Sequence, residues 1–211
     1  MTQHDDPRNR PAYERGKRAL DLAIAVPTAV ILSPFFVALA VAVKVDSHGP
    51  VFFRQERIGR QGRPFAILKL RTLYNEPPAR PADYLIGARD ARITRIGAFL
   101  RRWSLDELPQ LWNIIRGDMS VVGPRPTLRY QVDQYTEFQR RRLEVAPGVT
   151  GWAQIHGRNS LDWPARIELD VWYVEHRSLR LDLQILLRTA PLLFRSGSIY
   201  GDVQGDWGER A

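Results

Sequence analysis

Two adjacent carboxylates, Asp106 and Glu107, stand beside arginines in the segment Arg101–Pro126. Arg101 precedes the pair, and Arg125 follows it within a stiff Gly-Pro-Arg-Pro sequence. Aspartate is ionised at neutral pH, and an ionised carboxylate can attack phosphorus to form an acyl phosphate. Arginines can neutralise the charge of a phosphate substrate. The segment therefore indicates phosphate chemistry, assisted by a divalent metal held by Asp106 or Glu107.

The same residues also fit a purely structural interpretation. Ser104 followed by Glu107 three residues later is a capping box, which starts a helix. A helix capped by Ser104 would carry Pro109 at its fifth position, where proline removes a hydrogen bond. A helix that starts near Asp106 places Pro109 in the first turn, where it is tolerated, and the carboxylates then lie at the positive end of the helix. Spacing alone leaves the catalytic pair and the helix cap both open.

Composition bounds the class of protein. The chain has 211 residues, 44% of them hydrophobic, which suits one domain with an appended element. It has no cysteine, which excludes disulfides and cysteine-based metal sites. The net charge of +8 can favour nucleic acid, anionic lipid or a phosphorylated small molecule. The chain has no P-loop and no Gly-x-Gly-x-x-Gly after a strand.

An uncharged segment, Leu22–Val43, follows a polar lead over residues 1–18. Its length suits a single transmembrane helix of roughly 30 Å. Ser33 and Pro34 interrupt it at the middle, where proline bends a helix. Basic residues flank it on both sides: Arg15, Lys17 and Arg18 before it, and Lys44, Arg54, Arg57, Arg60 and Arg63 after it. A spanning helix satisfies the positive-inside rule at one end only, whereas a re-entrant helix satisfies it at both ends. We favour the re-entrant form, with the spanning form as the alternative.

Short β-type runs follow the apolar segment. A small hairpin at the membrane surface is predicted from two runs, Val51–Phe53 and Phe65–Leu68, joined by a basic turn. The role of the arginines in this turn stays open between contact with solvent, with lipid headgroups and with substrate. Lys69 and Arg71 alternate and could face one way on a strand. Residues 75–90 predict a surface loop.

Helical spacing dominates the rest of the chain. One predicted helix covers residues 91–103 and delivers Arg101 to the site. The next buries an apolar face that includes Trp112 and ends at Gly117. Residues 127–145 predict one charged amphipathic helix, whose arginines 140–142 face solvent or lipid. The remaining segments predict a helix over 162–176, an amphipathic helix over 179–195 that lies in the membrane interface or in the core, and a flexible tail over 196–211.

With these motifs in place, the chain resembles the bacterial sugar transferases, the monotopic polyprenyl-phosphate phosphoglycosyl transferases. The resemblance covers residues from about 16 to 195. Its markers are Lys17-Arg18 followed by Asp21, Ser33-Pro34, Lys69-Leu70-Arg71-Thr72, Ser104-Leu105-Asp106-Glu107-Leu108, Gly117-Asp118-Met119-Ser120, Val122-Gly123-Pro124-Arg125-Pro126, Pro147-Gly148-Val149-Thr150-Gly151-Trp152 and Leu169-Asp170-Val171-Trp172-Tyr173. Many motifs in the right order make the resemblance specific.

The resemblance implies an α+β, mainly helical fold with three parts: a re-entrant membrane helix over 19–45 broken at Ser33-Pro34, a catalytic domain over 46–195 with a small β-hairpin, and interfacial amphipathic helices. Its implied place is the cytoplasmic face of the bacterial inner membrane. The implied partners are a UDP-sugar, polyprenyl phosphate and membrane lipids, without nucleic acid.

The resemblance also implies a reaction in two steps. Asp106 attacks the β-phosphate of the UDP-sugar and releases UMP, and polyprenyl phosphate then takes the sugar phosphate from the aspartate. Glu107 is implied as a base or as a ligand of Mg²⁺, which Asp106 would share. Arg101, Arg125, Lys69 and Arg71 are the expected phosphate-binding residues. The product would begin the assembly of a bacterial surface glycan.

Two rival hypotheses remain at this stage. A membrane-tethered binder of nucleic acid or lipid would use the positive charge alone and would tolerate Asp106→Asn. A one-step transferase would form no covalent intermediate. Two positions depart from the family that the chain resembles: Leu73 stands where methionine is usual, and His156 stands where asparagine is frequent. The second position can affect sugar preference, so the sugar stays unassigned.

Overall fold

The computed structural model describes residues 10–74, 90–157 and 161–194. Most of them are helical, with an antiparallel hairpin and a short parallel pair of strands. The predicted mainly helical α+β fold is therefore confirmed. The predicted loop over 75–90, apart from Asp90, and the predicted tail over 196–211 lie outside the described residues.

The N-terminal element is a bent pair of helices. Helix α1 covers Pro11–Ile31 and helix α2 covers Ser33–Asp46, and their axes differ by 63°. The break falls at the predicted Ser33-Pro34, where the Ser33 hydroxyl donates to the Val30 carbonyl at 2.8 Å. Among the described helices, none alone is long and apolar enough to cross a bilayer, but this bent pair together has the required length and composition. Around the bend the aliphatic side chains are exposed, with Ile31 73% accessible.

Helix α1 begins earlier than the sequence indicated. Proline favours the first helical position, so the helix starts at Pro11. Residues 11–18 are therefore part of a regular helix, not of a flexible lead.

Part of the predicted basic collar is internal. Lys17 is buried and pairs with Asp182 at 3.1 Å. Arg18 donates to the carbonyls of Ile114 and Ile115, both at 2.6 Å. These cations hold α1 against the rest of the fold, because a buried charge needs a partner. They do not serve as free lipid-facing charges. Two of the flanking basic residues that favoured a re-entrant helix are therefore used inside the fold.

The hairpin is longer than predicted. Strand β1 covers Phe52–Ile58 and strand β2 covers Pro64–Leu70, paired antiparallel with Phe52 opposite Leu70. Only residues 59–63 form the turn, so Arg54 and Arg57 lie in a strand and not in the predicted basic turn.

The central segment differs from its prediction in two ways. Helix α3 covers Arg95–Arg102 and begins after Thr94, whose hydroxyl caps it by accepting from the Gly97 N–H. Helix α4 covers Gln110–Arg116 and ends at Gly117 in the left-handed conformation, as predicted. Its buried face carries Gln110, Asn113 and Ile114, whereas Trp112 is 55% exposed and not part of the core.

The region from 120 to 150 contains a feature that the sequence did not predict. Strands β3, Ser120–Val122, and β4, Gly148–Thr150, pair in parallel. Between them lie α5, Arg129–Asp133, α6, Glu137–Arg140, and a 3₁₀ turn, Arg141–Glu144. The single helix predicted over 127–145 is therefore wrong, because Thr136 caps a new helix in the middle of the segment.

The C-terminal helices close the domain. Helix α7 covers Trp152–Ile155, α8 covers Trp163–His176 and α9 covers Leu179–Phe194. The core of this half packs β3, α8 and α9 together through Val122, Tyr173, Val174, Leu181 and Ile185. Helix α9 buries Leu181 and Ile185 and exposes Leu179, Leu183 and Leu187. It therefore serves both the core and an apolar surface.

Candidate active site

A single 3₁₀ turn, Leu105–Glu107, carries the two adjacent carboxylates. Ser104, just before it, has a left-handed φ of 57° and its side chain caps no helix. The capping-box interpretation is therefore wrong. Helix α4 starts only after Pro109, so the carboxylates lie on a separate turn between α3 and α4. This turn packs against β2 and α3 and leaves Asp106 only 1% exposed.

Glu107 is fixed by two cations on one oxygen. Its Oε1 accepts a hydrogen bond from Lys69 Nζ at 2.8 Å and from Arg125 Nη2 at 2.7 Å. Burial raises the pKa of Glu107, but the charges of Arg125 and Lys69 and their hydrogen bonds outweigh it and hold that pKa well below its usual range. Glu107 is therefore an ionised carboxylate that ties strand β2 to the Arg125 loop.

The Arg125 loop is held by close backbone packing. The Gly123 N–H donates to the Thr150 carbonyl and the Gly148 N–H donates to the Pro124 carbonyl, both at 2.8 Å. A Cβ on Gly148 would lie 2.1 Å from the Gly123 nitrogen, so only glycine fits there. The two glycine-rich segments thus form one backbone platform, and Arg125 extends from it toward Glu107.

A buried ion pair supports this loop from behind. Arg142 is 2% exposed and pairs with Asp170 on α8. It also donates to the Arg125 carbonyl at 3.0 Å and to the Tyr135 hydroxyl at 2.6 Å. The run of arginines 140–142 predicted a solvated or lipid-facing position for Arg142. That prediction is wrong, because this charge is internal and connects α8 to the backbone of Arg125.

The structure brings together four of the predicted site residues: Asp106, Glu107, Lys69 and Arg125. Arg101 is buried on the last turn of α3, five positions before Asp106.

Arg71 occupies a different place. Its Nη2 donates to the Ser47 carbonyl at 2.6 Å and to the Ser47 hydroxyl at 2.9 Å, just past the end of α2. These contacts join β2 to the end of α2. Alternation with Lys69 therefore did not bring Arg71 into the contacts of Glu107.

Sequence reasoning missed Asp170, although a signal for it exists. Asp170 lies three residues after Ile167 and four before Val174, which are both buried on the same face of α8. A carboxylate within an apolar stripe indicates a buried partner of opposite charge. Arg142 offers no such signal, because it stands in a run of three arginines.

The donor set at the site suits one hard cation. Asp106 and Glu107 supply adjacent carboxylates, and Mg²⁺ typically takes one or two carboxylates together with substrate phosphate and water. Among the described residues there is no group of three or more His, Cys, Asp or Glu side chains that could hold a metal by themselves. The residues thus fit a metal that is completed by substrate, not a closed structural site.

Adjacent carboxylates within a group of cations form a site suited to phosphate-group transfer. Comparison with known families matches residues 12–196 to the bacterial sugar transferases. The chain belongs to the bacterial sugar transferase family and is therefore a transferase.

Individual relatives agree with this assignment. The chain is 44% identical over 173 residues to the uncharacterized sugar transferase EpsL of Bacillus subtilis (strain 168), covering 82% of this chain and 84% of that protein. It is 41% identical over 204 residues to UDP-glucose:undecaprenyl-phosphate glucose-1-phosphate transferase of Caulobacter vibrioides, covering 92% of this chain and 75% of that protein. It is 40% identical over 185 residues to UDP-N-acetylgalactosamine-undecaprenyl-phosphate N-acetylgalactosaminephosphotransferase of Aeromonas hydrophila, covering 85% of this chain and 44% of that longer protein.

Proposed function

We propose that this protein transfers a sugar phosphate from a UDP-sugar to polyprenyl phosphate, with undecaprenyl phosphate as the acceptor and UMP as the by-product. The names of the Caulobacter and Aeromonas relatives describe reactions of this kind on two different sugars. The observation that carries the proposal is the position of Asp106, on a turn whose neighbour Glu107 is fixed by Lys69 and Arg125. The identity of the sugar is left open.

In the first step Asp106 is the nucleophile. One of its carboxylate oxygens forms a bond to the β-phosphorus of the UDP-sugar, and the bond from that phosphorus to the bridging oxygen breaks. The electron pair leaves with UMP, and the sugar phosphate remains on Asp106 as an acyl phosphate. Arg125 and Lys69 stabilise the charge that develops on the phosphate oxygens. Because Asp106 is 1% exposed, substrate must displace part of its cover.

In the second step the lipid phosphate is the nucleophile. Its oxygen attacks the phosphorus held by Asp106, the acyl phosphate bond breaks, and the carboxylate is restored. A phosphate monoester has a second pKa of about 6, so the lipid needs little help in losing its last proton. One diphosphate bond is broken and another is made, so we expect the overall reaction to be close to reversible.

We further propose Mg²⁺ as the cofactor, with Asp106 and Glu107 as its protein ligands. When bound, it would supply positive charge to the diphosphate. Glu107 then has two roles in the site, since one oxygen is held by Lys69 and Arg125 while the carboxylate as a whole remains a hard donor beside Asp106.

We also propose that the bent pair α1–α2 enters the cytoplasmic leaflet of the inner membrane and returns. The exposed aliphatic side chains around the bend support this placement, because contiguous apolar surface is rare on soluble proteins. The product would serve as the first lipid-linked sugar of a surface glycan.

The test is a trapping experiment without acceptor. Detergent-purified protein is incubated with Mg²⁺ and a UDP-sugar that carries label in its β-phosphate. We expect label on the protein, mapped to Asp106 by peptide mass spectrometry, and a matching amount of UMP. Asp106→Asn should trap none, while Asp118→Asn, which removes a half-buried carboxylate that pairs with Arg116 at 3.4 Å, should trap normally.

Addition of polyprenyl phosphate should then move the label from protein to lipid. UMP release that always waits for the lipid would instead indicate a one-step transferase. Full turnover by Asp106→Asn would contradict the nucleophile assignment, and a protein that only binds DNA in low salt would contradict the proposed reaction.

A further inference from the structure

Arg57, near the end of β1, is a cation without a carboxylate partner in the described part of the chain. Its Nη1 donates to the Pro126 carbonyl at 3.3 Å and its Nη2 to the Gln55 side-chain oxygen at 2.7 Å. Both acceptors are neutral, and its buried Nε has no hydrogen-bond partner. A half-buried guanidinium is normally balanced by a carboxylate or by a bound anion.

The position of Arg57 is set by backbone contacts. Ile58, its neighbour, donates its N–H to the Thr127 carbonyl at 2.9 Å, and Arg57 itself contacts the Pro126 carbonyl. These contacts fix the end of β1 along the segment that follows Arg125. The guanidinium of Arg57 therefore lies beside the loop that supplies Arg125 to Glu107.

The charge balance at this edge is positive. Burial lowers the pKa of Arg57, and the charge of Arg125 lowers it further, to about 10. The charge of Glu107 opposes this shift only in part. Glu107 is already shared between Lys69 and Arg125 through one oxygen. Arg57 and Arg125 thus repel each other beside a Glu107 oxygen that already accepts from two cations, and a further anion would relieve this repulsion.

We propose that Arg57 is a substrate-binding residue that holds a phosphate oxygen together with Arg125. This inference rests on the proposed function, and it adds a binding residue that motif spacing did not distinguish from the other arginines of the hairpin. Guanidinium groups suit this task because they present several N–H donors in a fixed plane, and two of the five are used by protein acceptors here. The phosphate belongs either to the nucleotide or to the lipid, since both carry the same group.

The experiment compares Arg57→Gln and Arg57→Lys with a matched control, Arg129→Gln. Arg129 is an exposed arginine next to the same strand, and it already pairs with Glu56 at 3.0 Å. Both glutamine variants remove one positive charge next to strand β1. Binding of UMP to the full-length protein in detergent is measured by calorimetry, and KM for polyprenyl phosphate is measured by UMP release.

We expect Arg57→Gln to weaken UMP binding about tenfold or more, the effect typical of losing a hydrogen bond between charged groups. Arg57→Lys should recover part of the loss, and Arg129→Gln should stay within about twofold of wild type. The loss should shrink at high salt, because the missing interaction is one of charge. A tenfold rise in KM for the lipid with unchanged UMP binding would instead assign the phosphate to the acceptor.

The outcomes separate this inference from the proposed function. If wild type turns over and Arg57→Gln matches Arg129→Gln in both UMP binding and lipid KM, the inference is overturned and the proposed function stands. If Arg57→Gln loses activity only through a lower melting temperature, with no recovery by lysine, Arg57 is structural. If wild type neither binds UMP nor turns over, both are overturned.

Discussion

Glu107 carries two hydrogen bonds from cations on the same oxygen, and this arrangement bears on its role. A general base works best when its pKa lies near the working pH. Burial alone would raise the pKa of Glu107 toward that range, but Arg125 and Lys69 lower it well below. The lipid phosphate, moreover, needs little help to ionise. These facts favour Glu107 as an anionic ligand and anchor over Glu107 as a base.

The pH dependence of stability tests this state of Glu107. Its folded pKa is below the unfolded value of roughly 4.3, so the folded state gains stability above that value and loses it as pH falls toward the folded pKa. We expect Glu107→Gln to be less stable than wild type at pH 7 by about 1–3 kcal/mol. The gap should narrow between about pH 5 and pH 3, measured by thermal unfolding with tryptophan fluorescence.

The control is Glu168→Gln, which removes one exposed carboxylate from α8. It should follow wild type within about 0.5 kcal/mol at each pH. If the stability difference between wild type and Glu107→Gln stayed constant down to pH 3, the pKa of Glu107 would not be lower in the folded state than in the unfolded state.

Ser104 gives a second test at this scale, because its φ of 57° is unusual for a residue with a side chain. Glycine adopts this conformation freely, whereas a β-branched residue is strained there. We expect Ser104→Gly to change the free energy of unfolding by less than about 1 kcal/mol. Ser104→Val should destabilise by about 1–2 kcal/mol and disturb turnover, since the strained turn carries Asp106.

Chemical denaturation of the two variants measures this difference. If Ser104→Gly cost as much as Ser104→Val, the hydroxyl rather than the backbone conformation would be the important feature.

Local motifs predicted Asp106 and Glu107, the two carboxylates of the turn. They also predicted Arg125 and Lys69, the two cations that contact Glu107. They did not predict that Arg71 would bind the end of α2. Alternation on a strand indicates which side chains share a face, but it does not indicate which residues those side chains contact. The partner of Arg71, Ser47, lies 24 residues earlier and has no motif of its own.

At the scale of elements, the two glycine-rich segments act as one unit. Gly148→Ala tests this, because a Cβ there would lie 2.1 Å from the backbone nitrogen of Gly123. Backbone cannot move aside as a side chain can, so we expect a loss of about 1–3 kcal/mol in stability. Displacement of the Arg125 loop should lower kcat at least tenfold, measured by UMP release.

The matched control is Gly16→Ala on α1. Its Cβ would meet only the Leu179 side chain, at 2.9 Å, which can rotate away. This variant should keep its activity within about twofold. Equal activity for Gly148→Ala and wild type would show that the loop position does not matter to turnover.

The order of helices was predictable where hydrophobic spacing was regular, as for α8 and the start of α9. It was not predictable over residues 127–145, where the helical spacing hides the break at Thr136. The parallel pair β3–β4 was also missed, because each strand has three residues and its partner lies 28 positions away. Pairings of this kind depend on contacts that no local window contains.

Helix α1 is joined to the catalytic half of the fold through buried polar contacts. Asp21 accepts from the Ser120 hydroxyl and from the Val121 N–H, both at 2.9 Å. Asp182 on α9 accepts from Lys17 and from the Tyr173 hydroxyl, at 3.1 and 2.7 Å. Because these groups are buried, rotating or sliding α1 would leave charges without partners. Helix α1 therefore has one fixed register relative to strand β3, which leads to Arg125.

At the scale of the whole molecule, this fixed register links the bent pair α1–α2 to the site. Arg18 caps the end of α4, and α4 follows the turn that carries Asp106. The bend at Ser33-Pro34 is compatible with two topologies. In a re-entrant pair both flanks of the apolar segment lie on one face of the membrane, whereas in a broken spanning helix they lie on opposite faces.

Single cysteines distinguish the two topologies, and the absence of natural cysteine makes the labelling clean. We choose Arg15→Cys before the bend and Arg63→Cys after it, both at exposed positions outside the proposed site. In intact cells a charged, membrane-impermeant maleimide should label neither, and in inside-out vesicles it should label both. A control at the bend, Ile31→Cys, should resist the reagent in both preparations until detergent is added, because hydrocarbon covers it. Labelling of one flank from the periplasm and of the other from the cytoplasm would establish a spanning helix, since the two flanks of a re-entrant pair must share one aqueous compartment.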